Sequence, residues 1–355
     1  GTQSVVKESY EMLLDSIRLA KKFIFIENQY FSTDFPATST ECQHQHDRTK
    51  AVLYSGATNR VGEVLMDRIK RAAFLKENFS AAYILPLGTE PGSFYPNARG
   101  AYCFEQALDD WWKANGIQSD RRDYFSFFFL ANAVPVPTNM GGPGSAFYGI
   151  FTHTKATVVD DEIAYLGSAN INDRSLDGDR DAEVGITVWN GSYPRLLREQ
   201  LLKDHTGDAA LPDTSRFTPS LRAIAEANAE ELRQTMGISF PAGTVTNGSR
   251  TTQLFGMEGL LNHAPVGAAE LKWPRSRVVA GGGGVDHFDW YVVPQALRHP
   301  RLHGLLFPWG RNIWGMPKMT NIAQIFSDEF NYLEEPALAQ HGLGPVVEEG
   351  KPLFL

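Results

Sequence analysis

The stretch HTKATVVDDEIAYLGSAN places His153, Lys155, Asp160, Gly167, Ser168 and Asn170 in the pattern H-x-K-x4-D-x6-G-S-x-N. A lone H-x-K carries no information. Six fixed positions at ordinary residue frequencies arise by chance only about once in tens of millions of starting points. The residue types suit one kind of chemistry. A histidine titrates near neutral pH, and a lysine two residues away is a cation fixed on the same face of an extended strand. Asn170 adds an amide donor. Together they can hold a tetrahedral anion and move a proton, which is what cleavage of a phosphate diester without a metal requires. Gly167 and Ser168 predict a tight turn that brings backbone and hydroxyl donors close.

The elements around this stretch alternate. Helical spacing of apolar residues predicts helices over 5–22 and 61–74, with further helices over 101–114, 194–203 and 218–236. Short apolar runs predict buried strands over 23–26, 81–85, 124–130, 157–159, 163–166 and 183–189. Residues 32–50, 86–100 and 135–149 read as loops, the last two from their Pro and Gly content. Alternating helix and buried strand gives an α/β layer fold. The character changes after about residue 204. We expect a domain over 1–207 and a C-terminal extension over 208–355 that packs on it.

The chain has 355 residues, 43% of them hydrophobic and 21% charged, as in ordinary globular proteins. No apolar run is long enough to cross a bilayer as a helix. The net charge of −8 lacks the broad positive field that drives nucleic-acid binding. Cys42 and Cys103 make no disulfide framework and no cysteine zinc site, and whether they pair is open. The His44 and His46 segment has no matching ligand cluster and reads as a solvated loop. Residues 281–284, four glycines, lack the ending of a phosphate-binding loop and read as a turn.

The H-x-K stretch resembles the second signature motif of the phospholipase D superfamily. IENQYF (residues 26–31) is similar to the segment that opens the second half of eukaryotic-type phospholipases D. INDRSLDGDRDAEVGI (residues 171–186) is similar to the segment after their second motif. The resemblance covers roughly residues 5–207 in the family's order. It implies a layered αβα sandwich, one half of a bilobal enzyme with a pseudo-twofold axis. It also implies that one histidine attacks phosphorus and forms a phosphohistidine, while the other serves the leaving alcohol and then water or an acceptor alcohol. Carried over by position, His153 is the acid/base histidine, with nucleophile as the alternative. Lys155 and Asn170 hold the phosphoryl oxygens, Asp160 is structural support, and Glu183 orients the histidine. Ser168, Asn28 and Gln29 are expected to contact substrate, the last two from the C-terminal end of a strand, where α/β sites lie.

None of the chain's other histidines is followed two residues on by lysine. One histidine cannot attack and protonate at the same moment, so the second motif must come from another chain. The expectation is the C-terminal half of a processed phospholipase D, favoured by a start at Gly1 just before the helix leading into IENQYF. It would cleave phosphatidylcholine-type lipids to phosphatidate and head-group alcohol, transfer to other alcohols, and use no metal or cofactor. Its partners would be the N-terminal half with the other motif and a phospholipid surface, not nucleic acid. The compartment stays open; the expectation is a protein peripheral to membranes, with secretion as one alternative. The rivals are a homodimeric phosphodiesterase or nuclease of the same superfamily and a non-catalytic phospholipid-binding half.

Overall fold

The run FIFIE leaves no side chain for water: β1 (Phe23–Glu27) is buried at every position. A strand covered on both faces sits inside a sheet with helices on each side. Its alternate residues serve two cores. Ile24 and Ile26 join one cluster with α1 (Glu8–Leu19), α2 (Val61–Leu75) and α3 (Pro91–Ala114). Phe23 and Phe25 join the other, with Leu202 of α6 (Tyr193–Thr206) and Phe217, Leu221 and Ala225 of α7 (Phe217–Met236). The result is a three-layer α/β/α arrangement, the sandwich expected from the sequence.

The computed structural model describes residues 7–37, 58–86, 91–136, 144–150, 152–177, 181–207, 211–236, 243–247, 250–254 and 302–309. Besides β1, the strands are β2 (Ser80–Ile84), β3 (Phe125–Val136), β4 (Gly144–Gly149), β5 (Ala156–Val159), β6 (Ile163–Gly167), β7 (Gly185–Trp189), the separate hairpin β8 (Gly243–Asn247) and β9 (Arg250–Leu254), and β10 (Leu306–Trp309). The main sheet runs β10-β3-β2-β1-β5-β6-β7, with β4 paired to β3. β1, β2 and β3 are parallel, while β5, β6 and β7 follow β1 as an antiparallel meander. Short helices α4 (Arg121–Tyr124) and α5 (Asp173–Leu176) complete the described elements named here.

Two expected loops are partly regular. The 86–100 stretch supplies the first turns of α3, which starts at Pro91. Proline is tolerated in a first helical turn, where its missing N–H has no intrahelical partner. Gly100 is in that helix because a Cβ there would lie 2.3 Å from the Phe31 carbonyl oxygen. The 135–149 stretch contains the end of β3 and the returning strand β4. There the β-propensity of the apolar residues outweighs the Pro and Gly punctuation. The phenylalanines of β3 are core, with Phe125, Phe127 and Phe129 facing one cluster and Phe128 the other.

Residues on both sides of position 207 build the same layers. α6 and α7 contribute to one core cluster, and β10 adds a strand beside β3. Asn228 secures that late strand: its side chain donates to the carbonyls of His303 (2.8 Å) and Leu306 (2.9 Å) and accepts from the His303 N–H (2.7 Å). At the opposite edge, β7 is paired on one side only among the described residues. Val184, Ile186 and Trp189 are exposed there, as are Tyr193 and Leu196 at the start of α6. Cys103 is buried on α3 and disulfide-bonded. Cys42, His44, His46 and residues 281–284 lie outside the described residues.

Candidate active site

β5 is buried at all its positions and held between β1 and β6. A strand so placed is a rigid mount for the residues at its two ends. Lys155 immediately precedes it, 5% exposed, while His153 stands exposed two residues earlier. The Lys155 ammonium donates to Gln29 Oε1 (3.0 Å) and to the His153 carbonyl (2.8 Å), and lies 3.2 Å from His153 Nδ1. Burial pushes the Lys155 pKa down to about 8, against the opposing pull of the nearby Glu183 carboxylate. The donor and acceptor roles at this contact follow the tautomer of the ring.

Asn170 follows β6 on a loop whose neighbours are pinned. Asn28 Oδ1 accepts from the N–H of Ile171 (3.1 Å) and of Tyr30 (3.1 Å), and its Nδ2 donates to the Ala169 carbonyl (3.4 Å). Ser32 N–H donates to the Ile171 carbonyl (2.9 Å). Asn172 then caps α5, its side chain accepting from Ser175 N–H at 2.9 Å. Asn170 itself is half-buried, with its Oδ1 buried and unpartnered.

Glu183 reaches this region just before β7. It accepts a hydrogen bond from the Ser168 hydroxyl, which in turn accepts from Val184 N–H at 3.0 Å. Ser168, expected at the substrate, thus has its hydroxyl engaged with Glu183 and the backbone. The tight turn expected at Gly167 takes another form. Gly167 ends β6, and a Cβ there would lie 2.3 Å from the Tyr165 hydroxyl. The same ring would be 2.5 Å from a Cβ at Gly185. Both glycines make room for Tyr165.

Asp160 stands at the other end of β5. Its carboxylate accepts three backbone N–H groups, from Lys21 (2.6 Å), Lys22 (2.7 Å) and Phe23 (2.8 Å). It adopts a φ of 56°, in the left-handed region that Asp tolerates better than most residues. The structure therefore brings together His153, Lys155, Gln29 and the Asn28-held loop of Asn170, with Glu183 near Lys155. Asp160 is held apart from them by the length of a strand.

A family model described as phospholipase D matches residues 145–232, a span that contains β5, β6, β7 and α6 and ends within α7. A phospholipase D of Phytophthora infestans is 26% identical over 265 residues, covering 64% of this chain and 13% of that protein. Phospholipase D alpha 1 of Zea mays is 26% identical over 312 residues, covering 73% and 36%. Over these residues the chain is similar to the phospholipase D superfamily. It spans about an eighth and about a third of the length of these two relatives. Among solved structures, the phospholipase D family member Nuc from Salmonella typhimurium is similar, with a TM-score of 0.29, 13% identity and coverage of 54% of this chain and 81% of that one.

Some of the polar residues around this candidate site carry little sequence signal. Glu27 and His205 form a buried pair, Oε2 to Nε2 at 2.6 Å, that ties the end of β1 to the last turn of α6. Asp173 accepts from the backbone N–H of Thr58 (2.5 Å) and Asn59 (2.9 Å), clamping α5 to a segment more than a hundred residues earlier. Only the polar types in IENQYF and INDRS hint at either. No helix among the described residues is long and apolar enough to cross a membrane. Also among the described residues, no group of three or more His, Cys, Asp or Glu could hold a metal ion.

Proposed function

We propose that this chain is the C-terminal catalytic half of a phospholipase D that cleaves phosphatidylcholine-type glycerophospholipids and is completed by a second H-x-K half from another chain. The observation that carries the reading is the exposed His153 imidazole set against the buried Lys155 ammonium, 3.2 Å away, beside the loop of Asn170. The lipid substrate is supported by the relatives named phospholipase D.

In this reading the histidine of the other half attacks phosphorus. A P–N bond forms as the P–O bond to the head group breaks, and the His153 imidazolium gives the departing oxygen a proton and becomes neutral. His153 then takes a proton from water as the water oxygen attacks phosphorus. The P–N bond breaks and phosphatidate leaves. An acceptor alcohol in place of water gives phosphatidyl transfer. Lys155 and Asn170 hold the phosphoryl oxygens, whose charge grows during attack. Glu183 is the carboxylate that steadies the imidazolium. Asp160 acts at a distance, by fixing the strand.

The test takes the protein as purified from its own source, with whatever chain accompanies it, and supplies phosphatidylcholine vesicles with ethanol. Choline release with phosphatidylethanol formation, in a preparation containing a second H-x-K-x4-D chain, is the expected result. Cleavage of DNA without choline release by a symmetric dimer of this chain would replace the reading with a phosphodiesterase of the same superfamily. Vesicle binding with no turnover in the complete preparation would leave a non-catalytic binding half.

A further inference from the structure

The two residues that follow β1 address the two groups assigned to the phosphoryl oxygens. Gln29 accepts from the Lys155 ammonium at 3.0 Å, and Asn28 holds the loop of Asn170. Asn28 is 5% exposed, so water competes little for its side chain. Its carboxamide bridges the residues on either side of Asn170, donating to the carbonyl of Ala169 and accepting from the N–H of Ile171. Its own N–H donates to the Ile84 carbonyl at 3.2 Å, anchoring it to β2. A carboxamide has a donor end and an acceptor end on one rigid plane. An aspartate offers acceptors only, and an aliphatic residue neither.

We propose that Asn28 is a positioning residue for Asn170, fixing the distance between the Asn170 amide and the Lys155 ammonium rather than touching substrate. The inference rests on the proposed function only in giving Asn170 a phosphoryl contact. The loop geometry stands without it. Misplacing a catalytic group by about 1 Å can cost about a hundredfold in rate. The loss falls on kcat, because the contact strengthens in the transition state.

Two arms test this. The first needs no substrate: backbone hydrogen exchange in this chain, wild type against Asn28→Ala and Asn28→Asp. In Asn28→Ala the Ile171 amide should exchange at least tenfold faster, while Ile24 and Ile26 in the central strand keep their protection. Asn28→Asp keeps an acceptor for Ile171 and should leave that amide protected. Unchanged exchange at Ile171 in Asn28→Ala overturns the inference. Loss of protection across β1 in that variant passes the test to Asn28→Asp, where a fast Ile171 amide overturns it.

The second arm is phosphatidylcholine turnover by the complete enzyme. Asn28→Ala should lower kcat about a hundredfold with KM within twofold, and Asn28→Asp should fall between it and wild type. A raised KM at unchanged kcat would make Asn28 a substrate contact and overturn the proposal, as would wild-type kinetics. A wild-type preparation without turnover would sink the proposed function, and the exchange arm would still decide the role of Asn28.

Discussion

The two ends of β5 carry one sequence motif and have opposite physics. At one end His153 is exposed and Lys155 is buried as a cation among neutral acceptors, with its pKa held down to about 8. At the other, Asp160 is a buried anion with three backbone N–H groups aimed at it. The first arrangement keeps a costly charge available. The second spends the charge on holding the turn between α1 and β1 against the sheet. A single motif therefore joins an exposed imidazole beside a buried cation to a buried anion that holds backbone, and the strand between them sets the spacing.

The largest separation of the two ends comes from deleting each in turn. His153→Ala should lower turnover by roughly three or more orders of magnitude, the scale seen when a histidine that acts as both acid and base is lost. Its thermal unfolding should match wild type, since the side chain is exposed. Asp160→Ala should do the reverse. Three buried N–H groups lose their acceptor, and each hydrogen bond to a charged group contributes about 1.5–3 kcal/mol, not additively. Urea titration should show a loss of about 3–5 kcal/mol, with kcat per folded molecule near wild type. Equal loss of kcat in both variants would erase the distinction between the ends.

Smaller effects concern charge. Activity should fall on the alkaline side with an apparent pKa near 8, as Lys155 loses its proton. Lys155→Met should be slow at all pH values and lack that limb. The same shift has a stability consequence of fixed sign. Unfolded, Lys155 keeps its proton up to about 10.5, and folded only up to about 8. Between these values the unfolded chain binds more protons, so this residue's contribution to stability rises with pH across that window. Urea midpoints of wild type and Lys155→Met between pH 8 and 10 would show it. Smallest of all, Gln29→Leu removes one acceptor of the ammonium and should move the alkaline limb lower, by roughly half a pH unit.

The layer order and the H-x-K end of β5 are legible in the sequence because both are local. FIFIE is apolar at four of five positions, and His153 and Lys155 are two residues apart. What is illegible depends on distant pairing. Asn28 reads as a cleft residue because its partners lie 141 and 143 residues away. Glu27 and His205 meet across 178. The tetrapeptide of β10 contains Pro308, which argues against a strand, yet β10 lies at the sheet edge, where proline is tolerated. The role of Asp160 is half legible: its type and spacing mark it, but only the fold shows that its ligands are backbone groups of residues 21–23.

β7 has a consequence for anyone who handles this chain. It closes the sheet with one row of backbone groups unpaired among the described residues and with Val184, Ile186 and Trp189 exposed along it. Folded proteins usually blunt such borders with charge, proline or a covering element. Left bare, it is a template for any extended segment that drifts past, including the same strand of a neighbouring molecule. Concentrated alone, the chain should scatter light well below its unfolding temperature, and a lysine at position 186 should clear the solution without altering His153 or Lys155.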